Sequence, residues 1–362
     1  MAVGPQKAKR ATVNETLRDR GIAHAVYLER LKGSVAADIV QQLDDEVIPD
    51  LVDKLTARLA RIAARGTDLR PQETQRLRDT LTLMEETVEA WSTGLSSDLT
   101  DRSKEIGLAE VLWQDSLIAT VLPITWDTLV PPTGILHAAI LESPIDGVLL
   151  KDIVGRLDGA SKTALERAIR IGIAEGESID AIAGRIGKAV DYMRGSAEAV
   201  ARTAVGHASN MGRQSYYAAN DDLIAKVQFV ATLDTRTCQS CAGIDGKTFP
   251  LDSGPRPPRH INCRCTTVPV LKSLRSLGFD VDDFEPATRA SMNGQVSGAV
   301  TYNDWLKRMP PSIQDEALGP TRAQLFRTGK LDVRDYTDRQ GELYTLDELA
   351  KREKTAWQAA HL

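Results

Sequence analysis

The chain has 362 residues, of which 42% are apolar, 26% charged and only 5% aromatic, the balance of a folded globular protein of about two or three domains and not of a disordered chain. Its net charge of -5 argues against a protein that coats nucleic acid through a continuous basic face. No run reaches the ~18 apolar residues a membrane helix needs: the nearest, Ile135-Leu-His-Ala-Ala-Ile-Leu, is broken by His137, and residues 1 to 30 open on the polar, basic Ala2-Val-Gly-Pro-Gln-Lys-Ala-Lys-Arg with no apolar leader behind it.

In chain order, Leu28, Leu31, Val35, Ile39, Leu43, Val47, Leu51, Leu55, Leu59 and Ile62 recur at steps of three or four, which draws one apolar stripe along a helix. Pro49 predicts a kink or division near Ile48, and Gly66-Thr-Asp ends the stripe. Pro71 sits where a first helical turn tolerates proline and opens a second amphipathic helix through Leu77, Leu81, Met84, Val88 and Trp91. The two are expected to return against each other as a helical hairpin.

Between residues 120 and 146, Pro123, Pro131-Pro132-Thr-Gly and Pro144 predict an irregular connection. Short helices are expected at Gly147-Val-Leu-Leu-Lys-Asp-Ile-Val, at Thr163-Ala-Leu-Glu-Arg-Ala-Ile-Arg and, capped by Ser178, at Ile179-Asp-Ala-Ile-Ala-Gly-Arg-Ile. A longer helix is expected from Asp191 to Asn220, with Thr203, His207, Asn210 and Gln214 on one polar flank. That flank reads either as a seam facing the metal module or a partner, or as a partly exposed face with a satisfied histidine. Val227-Gln-Phe-Val-Ala-Thr-Leu and Thr266-Thr-Val-Pro-Val-Leu read as two strands.

Those strands bracket all four cysteines, arranged as Cys238-x2-Cys241 and, after eighteen residues, His260-x2-Cys263-x-Cys265. Each cysteine sits beside a turn former or a charge, which is not where packing would place it. A Cys-x2-Cys knuckle puts two thiolates on one ion, and a second hairpin bearing His-x2-Cys or Cys-x-Cys completes a closed tetrahedral site, so a structural zinc is expected. Cys238, Cys241, His260, Cys263 and Cys265 compete for four places; either Cys263 and Cys265 both bind, or His260 binds with one of them. Lys247, Arg256, Arg259 and Arg264 offset the charge of the thiolates. Two structural disulfides, which need an oxidising compartment, and free thiols are the rival readings. Asp234 and Asp245 read as turn residues, not as the base of a catalytic metal.

Beyond the cysteines, Thr301-Tyr-Asn-Asp-Trp-Leu, Pro311-Ser-Ile-Gln-Asp-Glu-Ala-Leu, Arg322-Ala-Gln-Leu-Phe-Arg and Thr345-Leu-Asp-Glu-Leu read as short helices, the last with a capping box of Thr345 and Glu348. Trp305, Phe326 and Tyr336 are expected to pack this segment back onto the body.

Three runs together, Ala201-Arg202-Thr203 through Asn210 and Arg213, Leu233-Asp-Thr-Arg-Thr-Cys-Gln-Ser-Cys with Ile244-Asp-Gly-Lys, and Pro257-Pro-Arg-His-Ile-Asn-Cys-Arg-Cys, resemble the bacteriophage Mu F-like minor head proteins, the phage head morphogenesis family. The expected fold class is mainly α: a helical N-terminal region (1–130) for portal or capsid attachment, a small α+β head-morphogenesis domain (131–272) with the Cys/His hairpin at 234–268, and a helical C-terminal extension (273–362). The resemblance implies a structural, non-enzymatic virion protein in few copies at the portal vertex, inside the head, made in the host cytoplasm and aiding head assembly and genome packaging or ejection. Its implied partners are the portal protein, the major capsid protein and packaged DNA. The alternative is a zinc-containing nucleic-acid-binding protein with Arg256, Arg259 and Arg264 on phosphates.

Overall fold

Helix formation follows the apolar periodicity closely. The computed structural model describes residues 12–63, 71–175, 177–273, 275–277, 288–292, 294–297 and 300–362. The basic run from Ala2 and the helix end expected at Gly66-Thr-Asp lie outside the described residues. Six helices come first: α1 (Val13–Gln42), α2 (Ile48–Ala63), α3 (Pro71–Val121), α4 (Thr133–Glu142), α5 (Leu150–Ala174) and α6 (Ile179–Ala219). Strands β1 (Ile224–Val230), β2 (Thr248–Phe249) and β3 (Thr266–Leu271) follow, with the short helix α7 (Gln239–Gly243) between β1 and β2. The hairpin β4 (Thr288–Ser291) and β5 (Gly294–Ser297) precedes α8 (Tyr302–Lys307), α9 (Pro311–Leu318), α10 (Pro320–Arg327), α11 (Leu346–Arg352) and α12 (Lys354–Ala359). The chain is mainly α with a small α+β part, as its sequence predicts.

Two compact units divide the chain. One comprises residues 30–105 and 140–205. In its core Leu51, Leu55 and Leu59 of α2 meet Leu81, Met84 and Val88 of α3, the expected helical hairpin, together with Leu165 and Ile169 of α5 and Ile186 and Met193 of α6. The division that Pro49 predicts is present: α1 ends at Gln42, residues Leu43–Val47 form one π-helical turn, and α2 starts at Ile48. Pro49 has no N–H to donate and its ring crowds the preceding turn, and the wider turn just upstream absorbs both effects. Within it Asp44 is held by Arg194 of α6 at 2.5 Å.

The other unit comprises residues 1–29, 106–139 and 206–362. Its central sheet has the order β2-β1-β3, antiparallel throughout, with Val227 opposite both Phe249 and Pro269 and Val230 opposite Thr266. The first part of α1 lies on β3: Gly21 is so close that an added Cβ would meet Val268 at 2.6 Å, and Asn14 Oδ1 accepts the Leu271 N–H at 2.8 Å. Gly212 of α6 likewise rests on the Gly107 carbonyl of α3, an approach any larger side chain would block. The short C-terminal helices pack back as predicted. Trp305, Phe326 and Tyr336 share one core with Leu233 and Ala242, which flank the first two cysteines. The capping box at Thr345 is formed, with Thr345 Oγ1 accepting the Glu348 N–H.

Three expectations need correction. The stretch 120–146 is not irregular throughout, because Leu136 and Ile140, one turn apart and wholly buried, fold α4 directly after Pro131-Pro132. The helices expected at Gly147 and Thr163 are one helix, α5, and those expected at Ile179 and Asp191 are one helix, α6. Gly155, Gly159, Gly184 and Gly187 weigh against helix by about 1 kcal/mol each, which burial of the intervening apolar positions outweighs.

Candidate metal centre

The sheet brings the two halves of the cysteine motif together. Because β1 and β3 are antiparallel with Val230 opposite Thr266, the chain leaving β1 and the chain entering β3 run side by side, and Cys238 and Cys265 belong to these neighbouring ends. Leaving β1, the backbone is turned by Asp234, whose Oδ1 accepts the Arg236 N–H at 3.0 Å, and by Thr237, whose hydroxyl donates to the Thr232 carbonyl at 2.6 Å. Cys238 then caps α7, its Sγ accepting the Cys241 N–H at 3.4 Å. Asp245 reaches back from the far end of α7, accepting the Ala231 N–H on one oxygen and the Tyr302 N–H on the other, each at 2.7 Å. Both aspartates serve as turn residues, as their local sequence suggests.

Across from α7, His260 points Nε2 at two sulfurs, 3.3 Å from Cys238 and 3.9 Å from Cys241. Its Nδ1 is 2.8 Å from the Ile261 carbonyl, to which it donates. That bond fixes the ring orientation and leaves Nε2 facing the sulfurs. Asn262 adopts a left-handed conformation (φ 61), and the Cys263 N–H closes a turn onto the His260 carbonyl at 3.2 Å. The donors form two groups that share one member: Cys238, Cys241 and His260, and Cys241, Cys263 and Cys265, each with its atoms within 4.8 Å of one another. All four thiols are unlinked, and this Cys/His cluster can hold a metal ion.

Protons are shared unevenly among these donors. The Cys241 thiol, and then His260, hold Cys238 down to about 4 against the effect of burial. Hydrogen bonding to Cys238 and Cys263 pushes His260 up to about 11, while Cys241, facing Cys238, Cys263 and Cys265, is pushed far up. One cluster thus mixes anionic and protonated donors, and a divalent cation would take the place of the protons on the four donors that held it.

The basic residues around the hairpin all have hydrogen-bond partners within the protein. Arg264 grips Asp234 with both terminal nitrogens, Arg256 bonds Gln214 at 2.9 Å and the Pro250 carbonyl, and Arg259 bonds Glu342 at 3.0 Å. Lys247 reaches the Asp338 carbonyl at 3.4 Å. These cations tie the hairpin to the rest of its unit. The polar flank of α6 is also buried, Thr203, His207 and Asn210 being 1, 1 and 3% exposed, so the reading of a partly exposed face is wrong. Gln214, the last of the four, is indeed a seam residue: it joins Thr267 of β3 and Arg256 of the hairpin.

One polar centre escapes sequence reading altogether. Glu110 of α3 is enclosed and accepts from Arg213 of α6 at 2.8 Å, from His24 of α1 at 2.7 Å and from Gln114 at 2.8 Å. His24 lies flat on Trp113, their ring centroids 3.6 Å apart. Arg213 also bonds Thr266, the residue that follows Cys265. Glu110 and Arg213 are 103 residues apart in sequence, and no local pattern joins them.

The mainly helical chain thus gathers all its sulfur donors in one hairpin, between a small sheet and a set of short helices, as a candidate metal centre. Residues 163–268 match the family described as Phage Mu protein F like protein. The match spans the second half of α5, all of α6, β1, the hairpin and the start of β3, and over it the chain is similar to the Mu F-like phage head morphogenesis proteins. No curated protein and no solved structure matches the chain significantly. Among the described residues, no helix is long and apolar enough to cross a membrane.

Proposed function

We propose that the protein is a non-enzymatic minor component of the phage head, present in few copies at the portal vertex inside the capsid, where it aids head assembly and the packaging or ejection of the genome. The match of residues 163–268 to the Mu F-like family carries this reading. It contacts the portal protein, and on this reading the major capsid protein and packaged DNA are its neighbours. In the same reading the Cys/His hairpin holds one structural zinc, drawn from Cys238, Cys241, His260, Cys263 and Cys265. The donor chemistry supports that choice, since thiolates and an imidazole at mutual contact suit a closed tetrahedral site. The internal engagement of Arg256, Arg259 and Arg264 weighs against nucleic-acid binding through them. Quantitative mass spectrometry of purified virions, with asymmetric reconstruction of the portal vertex, tests the placement. A copy number far below that of the major capsid protein, with density beside the portal, is expected; a copy number matching the capsid lattice, or absence from the virion, overturns it.

A further inference from the structure

Resting on the zinc reading just given, we infer that the coordinating set is Cys238, Cys241, His260 and Cys263, and that Cys265 stands beside the ion as an uncoordinated thiol. The first ground is distance. On a tetrahedral ion with Zn–S of about 2.3 Å and Zn–N of about 2.0 Å, sulfur and nitrogen donors lie about 3.5 Å apart. His260 Nε2 stands 3.3 and 3.9 Å from the sulfurs of Cys238 and Cys241, the separations of donors that share an ion.

The tautomer is the second ground. Nδ1 is spent on the Ile261 carbonyl at 2.8 Å, so it is Nε2 that carries the lone pair once the ring is neutral, and Nε2 already faces the sulfurs. A ring held by a carbonyl at Nδ1 with Nε2 toward two sulfurs has the orientation of a zinc ligand.

The third ground is the backbone. Cys238-x2-Cys241 closes a turn in which the Cys241 N–H meets the Cys238 sulfur and the Ala242 N–H meets the Cys238 carbonyl at 2.9 Å. His260-x2-Cys263 closes a matching turn, with the Cys263 N–H on the His260 carbonyl at 3.2 Å and Asn262 supplying the left-handed residue. The first turn gathers Cys238 and Cys241 with His260, and the second sets Cys263 beside Cys241. Cys263 and Cys265 both lie within 4.8 Å of Cys241, and it is the backbone that separates them. Cys265 also immediately precedes Thr266, which is fixed by its pairing with Val230 and by Arg213, so its backbone belongs to the start of β3 and not to the second knuckle. A Cys3His site of this kind carries a net charge of about -1 in place of -2, which accords with a hairpin whose arginines are bonded elsewhere.

X-ray absorption at the zinc edge of the purified full-length chain tests the assignment without any substitution. A shell of three sulfurs and one nitrogen is expected. Chelator competition supplies a second measurement: Cys265→Ser should hold one zinc within about threefold of the wild-type affinity, and His260→Ala should lose at least about tenfold. A four-sulfur shell, or a tenfold loss for Cys265→Ser with His260→Ala unchanged, overturns the assignment alone. A wild-type protein that binds no zinc overturns the metal reading of the hairpin and the assignment with it.

Discussion

Arg213 and Glu110 form an ion pair at 2.8 Å in which their side chains are only 4 and 1% exposed. Burial pushes the Glu110 carboxyl up, but Arg213 and His24 together outweigh it and hold the group at about 2, against an ordinary value of 4.5. Because the folded value is the depressed one, the stabilisation is complete above about 4.5 and drains away as pH falls toward 2. Glu110→Gln should therefore cost about 3 kcal/mol near neutral pH and flatten the pH dependence of stability between about 2 and 4.5. Denaturant titrations of both proteins across that range measure it; parallel curves for wild type and variant would refute it.

Metal removal should be felt well beyond the hairpin. α7 carries Cys241 and shares a core with Trp305, Phe326 and Tyr336, and Gln239 donates to the Leu318 carbonyl at 2.8 Å. Chelation, or Cys238→Ser with Cys241→Ser, should lower the melting temperature and speed proteolysis within residues 300–362. Unchanged cleavage of that segment in metal-free protein would show that its packing stands independently of the site.

A single methyl group probes the same junction from its far side. A Cβ added at Gly243 would lie 2.6 Å from Thr337 Cγ2. Gly243→Ala should cost about 1–3 kcal/mol by overpacking, and Thr337→Ala in the same chain should recover most of it. Additive losses in the double-mutant cycle would place the strain elsewhere.

In the other unit, Leu55 is completely buried between α2 and its partners. Leu55→Ala should cost about 2–5 kcal/mol. Hydrogen exchange should register the loss in residues 48–63 and 77–95; an unaltered exchange pattern there would contradict the packing described.

How far the sequence discloses this structure depends on how local each cause is. The stripe from Val35 to Leu59, the Pro49 division, the two bracketing strands and the Thr345 cap rest on spacings within a few residues, and all are present. The cysteine spacing likewise announces the hairpin before any coordinates do. The continuity of α5 and α6 was not legible, since exposed glycines mimic helix ends unless the burial of their neighbours is known. Nor was the Glu110–Arg213–His24 centre, which is assembled from α1, α3 and α6 by the tertiary fold alone. The arginines of the hairpin read as counter-charges, yet their partners are Asp234, Gln214 and Glu342, two of which lie far along the chain.

Arg213 holds Thr266 directly after the last cysteine, while Asp252, Ser253 and Gly254 at the crown of the hairpin are exposed. The segment is therefore pinned at its roots and exposed at its tip. Length variation should be confined to one place: an epitope or a labelling peptide spliced between Asp252 and Ser253 leaves strand register and donor geometry alone, whereas one extra residue between Cys265 and Thr266 would shift β3 by a position and turn its inward side chains outward. The crown is thus the natural handle for fixing this protein to a surface or a fluorophore.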